Sequence, residues 1–182
     1  WDAIKPGTSW DAVPKGRQTF DGVPFEVGGL LELSGMGVLH ENKRFPSRVE
    51  GIPVGGRVGG LHLLHGAAYD APDGTPIGRL VLHYADGETR DLSIRYGIHS
   101  RNWWVESSEV SGAIGDPATR VAWTGRSPET DARDSTLRLF QTRFVNPRPD
   151  QPVTSLDVVS LLVRASLVIL ALTVESSGAD TG

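Results

Sequence analysis

Between Arg79 and Tyr84 the side chains alternate, with Leu80, Leu82 and Tyr84 on one face and Arg79, Val81 and His83 on the other. A period of two predicts a strand in a sheet with two distinct faces. Ala85-Asp86-Gly87 follows, and Asp-Gly between two alternating runs is a strong hairpin signal. Beyond it Leu92, Ile94 and Tyr96 alternate with Asp91, Ser93 and Arg95, which predicts the returning strand. Further strands are predicted over Phe25 to Val27, Leu30 to Leu33, Arg57 to Leu64, Arg120 to Thr124, Thr136 to Val145, Thr154 to Val159 and Ser166 to Val174, separated by Pro-, Gly- and Asp-rich loops. No segment repeats its apolar residues at helical spacing over three turns. Ser155 to Val168 comes nearest, and it is too β-branched. Some nine strands without alternating helices predict an all-β fold, two antiparallel sheets packed face to face as a β-sandwich or jelly roll.

The chain has 182 residues, the size of one domain, and its 22 glycines and 12 prolines fit a turn-rich fold. Residues 1–17, with Trp1, Trp10 and two prolines, read as an N-terminal arm anchored by its aromatics on a domain spanning 18–175. Residues 176–182, small and polar, read as a disordered tail. A net charge of -4 removes any global attraction to nucleic acid. The absence of cysteine excludes disulfides, a thiol nucleophile and Cys-based metal sites. Leu156 to Val174 resembles a membrane span at first sight. Asp157 and Arg164 interrupt it, leaving Ala165 to Val174, far short of the roughly 20 apolar residues a spanning helix requires. A buried strand is the better reading, and no membrane span is expected. The first ten residues lack the layout of a signal peptide, as the interior of a longer protein would.

The succession QTFDGVPFEV, SRVEGIPVGGRVGGLHLLHGAAY, GRLVLHYADGETRDLSIRYG, RNWW, VAWTG and FVNPRPDQPVTSLDVVS, spread from Gln18 to Val174, resembles a bacterial β-sandwich accessory domain of planctomycete type. Its GVPF opening and layout also resemble galactose-binding-like modules and other carbohydrate-binding modules attached to glycosidases. The resemblance implies a module of a larger exported protein, secreted or in the cell envelope, with neighbouring domains and a polysaccharide or oligosaccharide as partners. The Gly55–Gly60 stretch departs from the pattern, where a basic residue and larger side chains are expected, so a pocket shaped by that loop would be wider or absent here.

Sugar recognition calls for flat apolar rings beside fixed hydrogen-bonding groups. Tyr96, His99, Arg101, Asn102, Trp103 and Trp104 supply both within nine residues. On an extended backbone Trp103 and Trp104 point to opposite faces, so they cannot fill the same core. Either one of them is a stacking platform, or one packs in the core while the other covers the end of the sandwich under the arm. Trp123 shares a face with Val121 and is read either as ligand contact or as core. Tyr69, before the Asp70-Ala71-Pro72-Asp73-Gly74 loop, stands at a loop mouth as a ligand contact or a lid.

Metal and catalytic signatures are weak. His62 and His65, three apart, leave a strand on opposite faces and are unsuited to one metal, and His83 reads as a partly covered residue on its sheet's second face. Asp70, Asp73, Asp131 and Asp134 offer loop oxygens for a structural Ca2+ without the spacing of an EF-hand. There is no Gly-x-Ser-x-Gly elbow. Glu26, Glu32, Glu50, Glu88, Glu106 and Glu109 sit singly in strands or turns, as solvated charges do. The Gly55–Gly60 stretch lacks the ending of a phosphate loop. The leading expectation is a non-catalytic carbohydrate-binding module. A protein–protein or envelope-assembly domain, and a small polysaccharide-active enzyme, are the alternatives.

Overall fold

The protein is described from a computed structural model, covering residues 2–109 and 114–177. In chain order the elements are β1 (Gly16–Phe20), β2 (Val23–Val27), β3 (Leu31–Glu32), α1 (Met36–His40), β4 (Arg48–Pro53), β5 (Val58–Ala68), β6 (Pro76–Tyr84), β7 (Thr89–Arg95), β8 (Trp104–Glu106), β9 (Thr119–Gly125), α2 (Pro128–Asp131), β10 (Ser135–Val145), β11 (Val153–Ser160) and β12 (Ser166–Ser176). The all-β expectation holds, and every ladder between these strands is antiparallel.

The strands form three sheets. The largest runs β3-β12-β5-β10, with β9 along the far edge of β10 over Leu137–Thr142 and β8 on the edge that β5 takes further on, over Ser135–Leu137. A four-stranded sheet runs β4-β11-β6-β7, and β1-β2 is a two-stranded ribbon. One hydrophobic cluster combines Leu61, Leu63, Leu167 and Ile169 of the six-stranded sheet with Leu80, Leu82, Leu156 and Val158 of the four-stranded one. A second cluster lies on the opposite face of the six-stranded sheet, where Leu64, Leu139, Val168 and Leu170 meet Phe25 and Val27 of β2 and Val13 of the arm. Strand β12 is therefore covered on both faces, with Leu167 through Ala171 all buried. That double burial explains its near-continuous apolar run, which a strand with one wet face would not carry. Each fully buried Leu contributes about 1.5–3 kcal/mol.

The third sheet arises from an Asp-Gly turn like that of the predicted hairpin. Asp21 and Gly22 have φ of 50° and 79°, and Phe20 pairs with Val23 across them. Positive φ at both central residues is the geometry that twists with the flanking strands, and it favours Asp-Gly. The predicted hairpin itself closes with a three-residue loop, in which the Gly87 N–H donates to the Tyr84 carbonyl at 3.0 Å.

The arm is shorter than expected, because Gly16 and Arg17 belong to β1. It lies on the six-stranded sheet through paired backbone hydrogen bonds between Asp2 and Leu30, both 2.9 Å. Trp1 lies outside the described residues. At the other end β12 extends through Ser176, and the Ser177 N–H donates to the Arg57 carbonyl, so these two residues of the expected tail are held in the fold; residues 178–182 lie outside the described residues. Among the described residues no helix is long and apolar enough to cross a membrane.

Candidate functional site

On the face of the six-stranded sheet that carries the second cluster, the arm, the end of β5, the segment around α1 and the α2 region line an open-mouthed cavity of about 950 Å³. Four of the residues singled out in the sequence line it: Tyr69, Asn102, Trp103 and Trp104. Trp103 is 7% exposed. The ring of Trp10 lies flat on it, with centroids 3.3 Å apart and planes inclined by 3°, while Trp104 meets it edge-on at 6.4 Å. The arm thus occupies the stacking face of Trp103. Trp104 is half-buried, with the Arg133 guanidinium 5.6 Å from its ring centroid.

Tyr96, His99 and Arg101 do not line the cavity: Tyr96 belongs to the first cluster, and the His99 ring lies 5.3 Å from Phe144 of the same cluster. The buried Tyr96 hydroxyl donates to Asp70 at 2.7 Å and accepts from the Asn102 N–H at 3.2 Å. Burial pushes its pKa up to about 12, so the hydroxyl keeps its proton and its donor role. Arg101 pairs with Asp73 at 2.8 Å and covers the Tyr96 ring. His99 accepts from the Arg95 N–H through Nδ1, and burial holds its pKa below the ordinary value. The Asn102 Oδ1 accepts from the Trp104 N–H at 3.1 Å, and its carbonyl accepts from Arg138 Nε. These bonds fix the bend that brings the two indoles edge to face on one cavity, instead of on opposite faces as an extended backbone would place them. Trp123 packs on the second cluster, with its ring over Gly125, and does not line the cavity.

Tyr69 has a φ of 65°, a conformation unusual for a bulky residue and costly unless its surroundings impose it. Two contacts do so. A Cβ on Gly37 would stand 2.4 Å from the Tyr69 ring, so the ring uses the space that only glycine leaves. Its hydroxyl hydrogen-bonds Glu41, which, after burial, helps raise the tyrosine pKa to about 12. Glu41 also pairs with Lys43 at 2.7 Å. The hydrogen bonds from Lys43 and Tyr69 hold its carboxyl below the usual range.

Sequence reasoning missed much of the opposite wall. Glu32, grouped with solvated charges, is half-buried in the cavity lining. Burial is the main cause lifting its carboxyl to about 7; Lys43 lowers it and Glu41 raises it. A lone acid within Leu30-Leu31-Glu32-Leu33 was the available signal, since charges in apolar strands are uncommon. Glu129 and Arg133 come from the α2 region, where Ser127 and Thr130 form a capping box around Pro128. The Ser9 hydroxyl bonds Ser127 and Glu129, each at 3.0 Å, and ties the arm to α2.

The histidines go to separate partners. His62 Nε2 lies 3.1 Å from Glu175, His65 Nε2 2.8 Å from the Thr142 hydroxyl, and His83 Nε2 2.9 Å from Asp157. Among the described residues no three His, Asp or Glu side chains gather as a metal-holding group. Of the loop aspartates, Asp70 bonds Tyr96, Asp73 bonds Arg101 and Asp131 bonds Arg126.

Chemically the cavity offers apolar ring faces, donors and acceptors fixed by their own partners, and charges of both signs, a composition suited to a polar ligand with apolar faces. Compared with family models and with curated proteins, the chain matches none.

Proposed function

We propose that this domain is a non-catalytic carbohydrate-binding module of a larger polysaccharide-acting or surface protein outside the cytoplasm, related in layout to jelly-roll and galactose-binding-like modules. The observation that carries the reading is the cavity, about 950 Å³, in which Trp10, Tyr69 and Trp104 stand beside Asn102 and charged side chains. A pyranose presents an apolar face to a ring and hydroxyls to fixed polar groups. In this reading Trp104 and the outer surface of Trp10 meet the sugar, while Trp103 and, through its hydrogen bond to Asn102, Tyr96 hold the wall in place.

The test is affinity electrophoresis and glycan-array binding, with and without EDTA, combined with an assay for released reducing sugar. Binding without turnover, lost in Trp104→Ala, is the expected result. EDTA sensitivity of that binding would add a structural calcium ion. Product release would establish an enzyme instead. A second reading draws on exposed Met36, Leu161 and Leu162, which are gathered where the Met36 N–H donates to the Val163 carbonyl. Failure to bind a broad glycan panel would favour an interdomain contact at that patch.

A further inference from the structure

The charged groups around the cavity are unevenly matched. Glu41 has Lys43 and Tyr69, and Glu129 has Ser9 and, at 3.8 Å, Arg133. Glu32, on β3 opposite Val168, has no hydrogen bond or ion pair among the described residues. The titratable and charged groups that share the cavity lining with it are Asp2 and Lys5 of the arm, Glu41 and Lys43 after α1, Tyr69 after β5, and Glu129 and Arg133 at and after α2; of these, Lys43 and Glu41 act on its charge. With Glu32 protonated, three carboxylates (Asp2, Glu41 and Glu129) face three cations (Lys5, Lys43 and Arg133), and the lining is neutral. Ionising Glu32 leaves one uncompensated negative charge in a partly dry site.

We propose that the Glu32 end of the cavity is a subsite for a protonated amine, the ammonium group of an amino sugar, with Glu32 as its counter-ion and the aromatic rings as its walls. The inference rests on the carbohydrate reading and names the sugar class. A single ammonium supplies the one charge that the lining lacks once Glu32 ionises. Aromatic faces attract cations most strongly where water is excluded, and Trp104 already carries one, the Arg133 guanidinium. An acid left half-buried without a partner is costly to ionise alone and is relieved by an opposite charge. Because burial keeps Glu32 near pH 7 in its titration, the ammonium–carboxylate pair forms with the carboxyl proton passing to solvent when the amine arrives charged and to the amine when it arrives neutral.

Titration calorimetry compares a glucosamine tetramer with its fully N-acetylated counterpart, using the wild type and Glu32→Gln. At pH 7 the wild type is expected to bind the amine form at least tenfold more tightly. At pH 5.5, with Glu32 protonated, the preference shrinks at least threefold. In Glu32→Gln it falls to within twofold, while Glu32→Asp retains it; near-ultraviolet circular dichroism verifies that both variants are folded. Equal binding of the two tetramers by the wild type, or a preference that survives in folded Glu32→Gln, overturns the amine subsite. Binding of other glycans but neither tetramer overturns the subsite and leaves the carbohydrate reading standing. Binding of no glycan overturns both.

Discussion

Adjacent side chains of an extended strand leave on opposite faces, but Trp103 sits in a bend just before β8, so its indole and that of Trp104 meet edge-on at one cavity, Trp103 under Trp10 and Trp104 beside Arg133. Truncation separates their roles. Trp103→Ala removes a buried indole and is expected to cost about 3–5 kcal/mol in urea denaturation. Trp104→Ala is expected to cost no more than about 1 kcal/mol while weakening glycan binding by about tenfold or more. Glu32 makes a pH-dependent prediction. Its folded pKa of about 7 stands above the ordinary 4.5, so the folded state holds the proton more tightly than the unfolded state. The associated stability is complete below pH 4.5 and is lost as pH rises through 7. Glu32→Gln should therefore leave stability unchanged near pH 4 and raise it by about 1–2 kcal/mol at pH 8, the full shift being discounted for partial solvation. Thermal melts at the two pH values measure the difference.

At the scale of elements, α1 and the end of β5 depend on each other through Gly37 and Tyr69. Gly37→Ala would place a Cβ 2.4 Å from the Tyr69 ring and 2.8 Å from the Arg164 carbonyl. The backbone carbonyl cannot swing away as a flexible side chain could, so a loss of about 1–3 kcal/mol is expected in denaturant titrations. The elements also divide by how plainly the sequence announced them. Strands β6 and β7 keep register from Gly78 to His83 and from Thr89 to Ile94, past a shift at Pro76–Gly78, and both are visible in the pattern. In β4 the inward-facing Val49 and Ile52 are three residues apart, because the pairing with β11 shifts register between Leu156 and Val158. The bulge hides the alternation from any reading that expects period two. Strand β1 alternates only between half-buried and exposed positions, so apolarity does not mark it. Its Asp21-Gly22 turn was the legible sign. The site was legible where aromatics cluster along the chain, at Asn102, Trp103 and Trp104. It was illegible where Trp10, Glu32 and Arg133 converge from segments far apart in sequence.

Across the whole molecule, β5, β10 and β12 form the middle of the six-stranded sheet and carry apolar contacts on both faces, whereas β1 and β2 pair only with each other. Hydrogen exchange should therefore be slowest in the three central strands and faster in the ribbon. Equal protection throughout would indicate that the ribbon unfolds only with the core. The centre also holds His65, fully buried beside Thr142, where burial lowers its pKa to about 3. The unfolded chain takes up that proton near 6.5, so stability is full above pH 6.5 and declines as pH falls toward 3. His65→Asn should flatten this slope in denaturant titrations. The face-to-face indoles of Trp10 and Trp103 have an optical consequence. Indoles stacked at 3.3 Å perturb each other's excited states and shield each other from water, so detaching the arm is expected to change the tryptophan absorption and emission. The chain therefore contains its own label-free reporter of whether the arm is seated when a ligand enters.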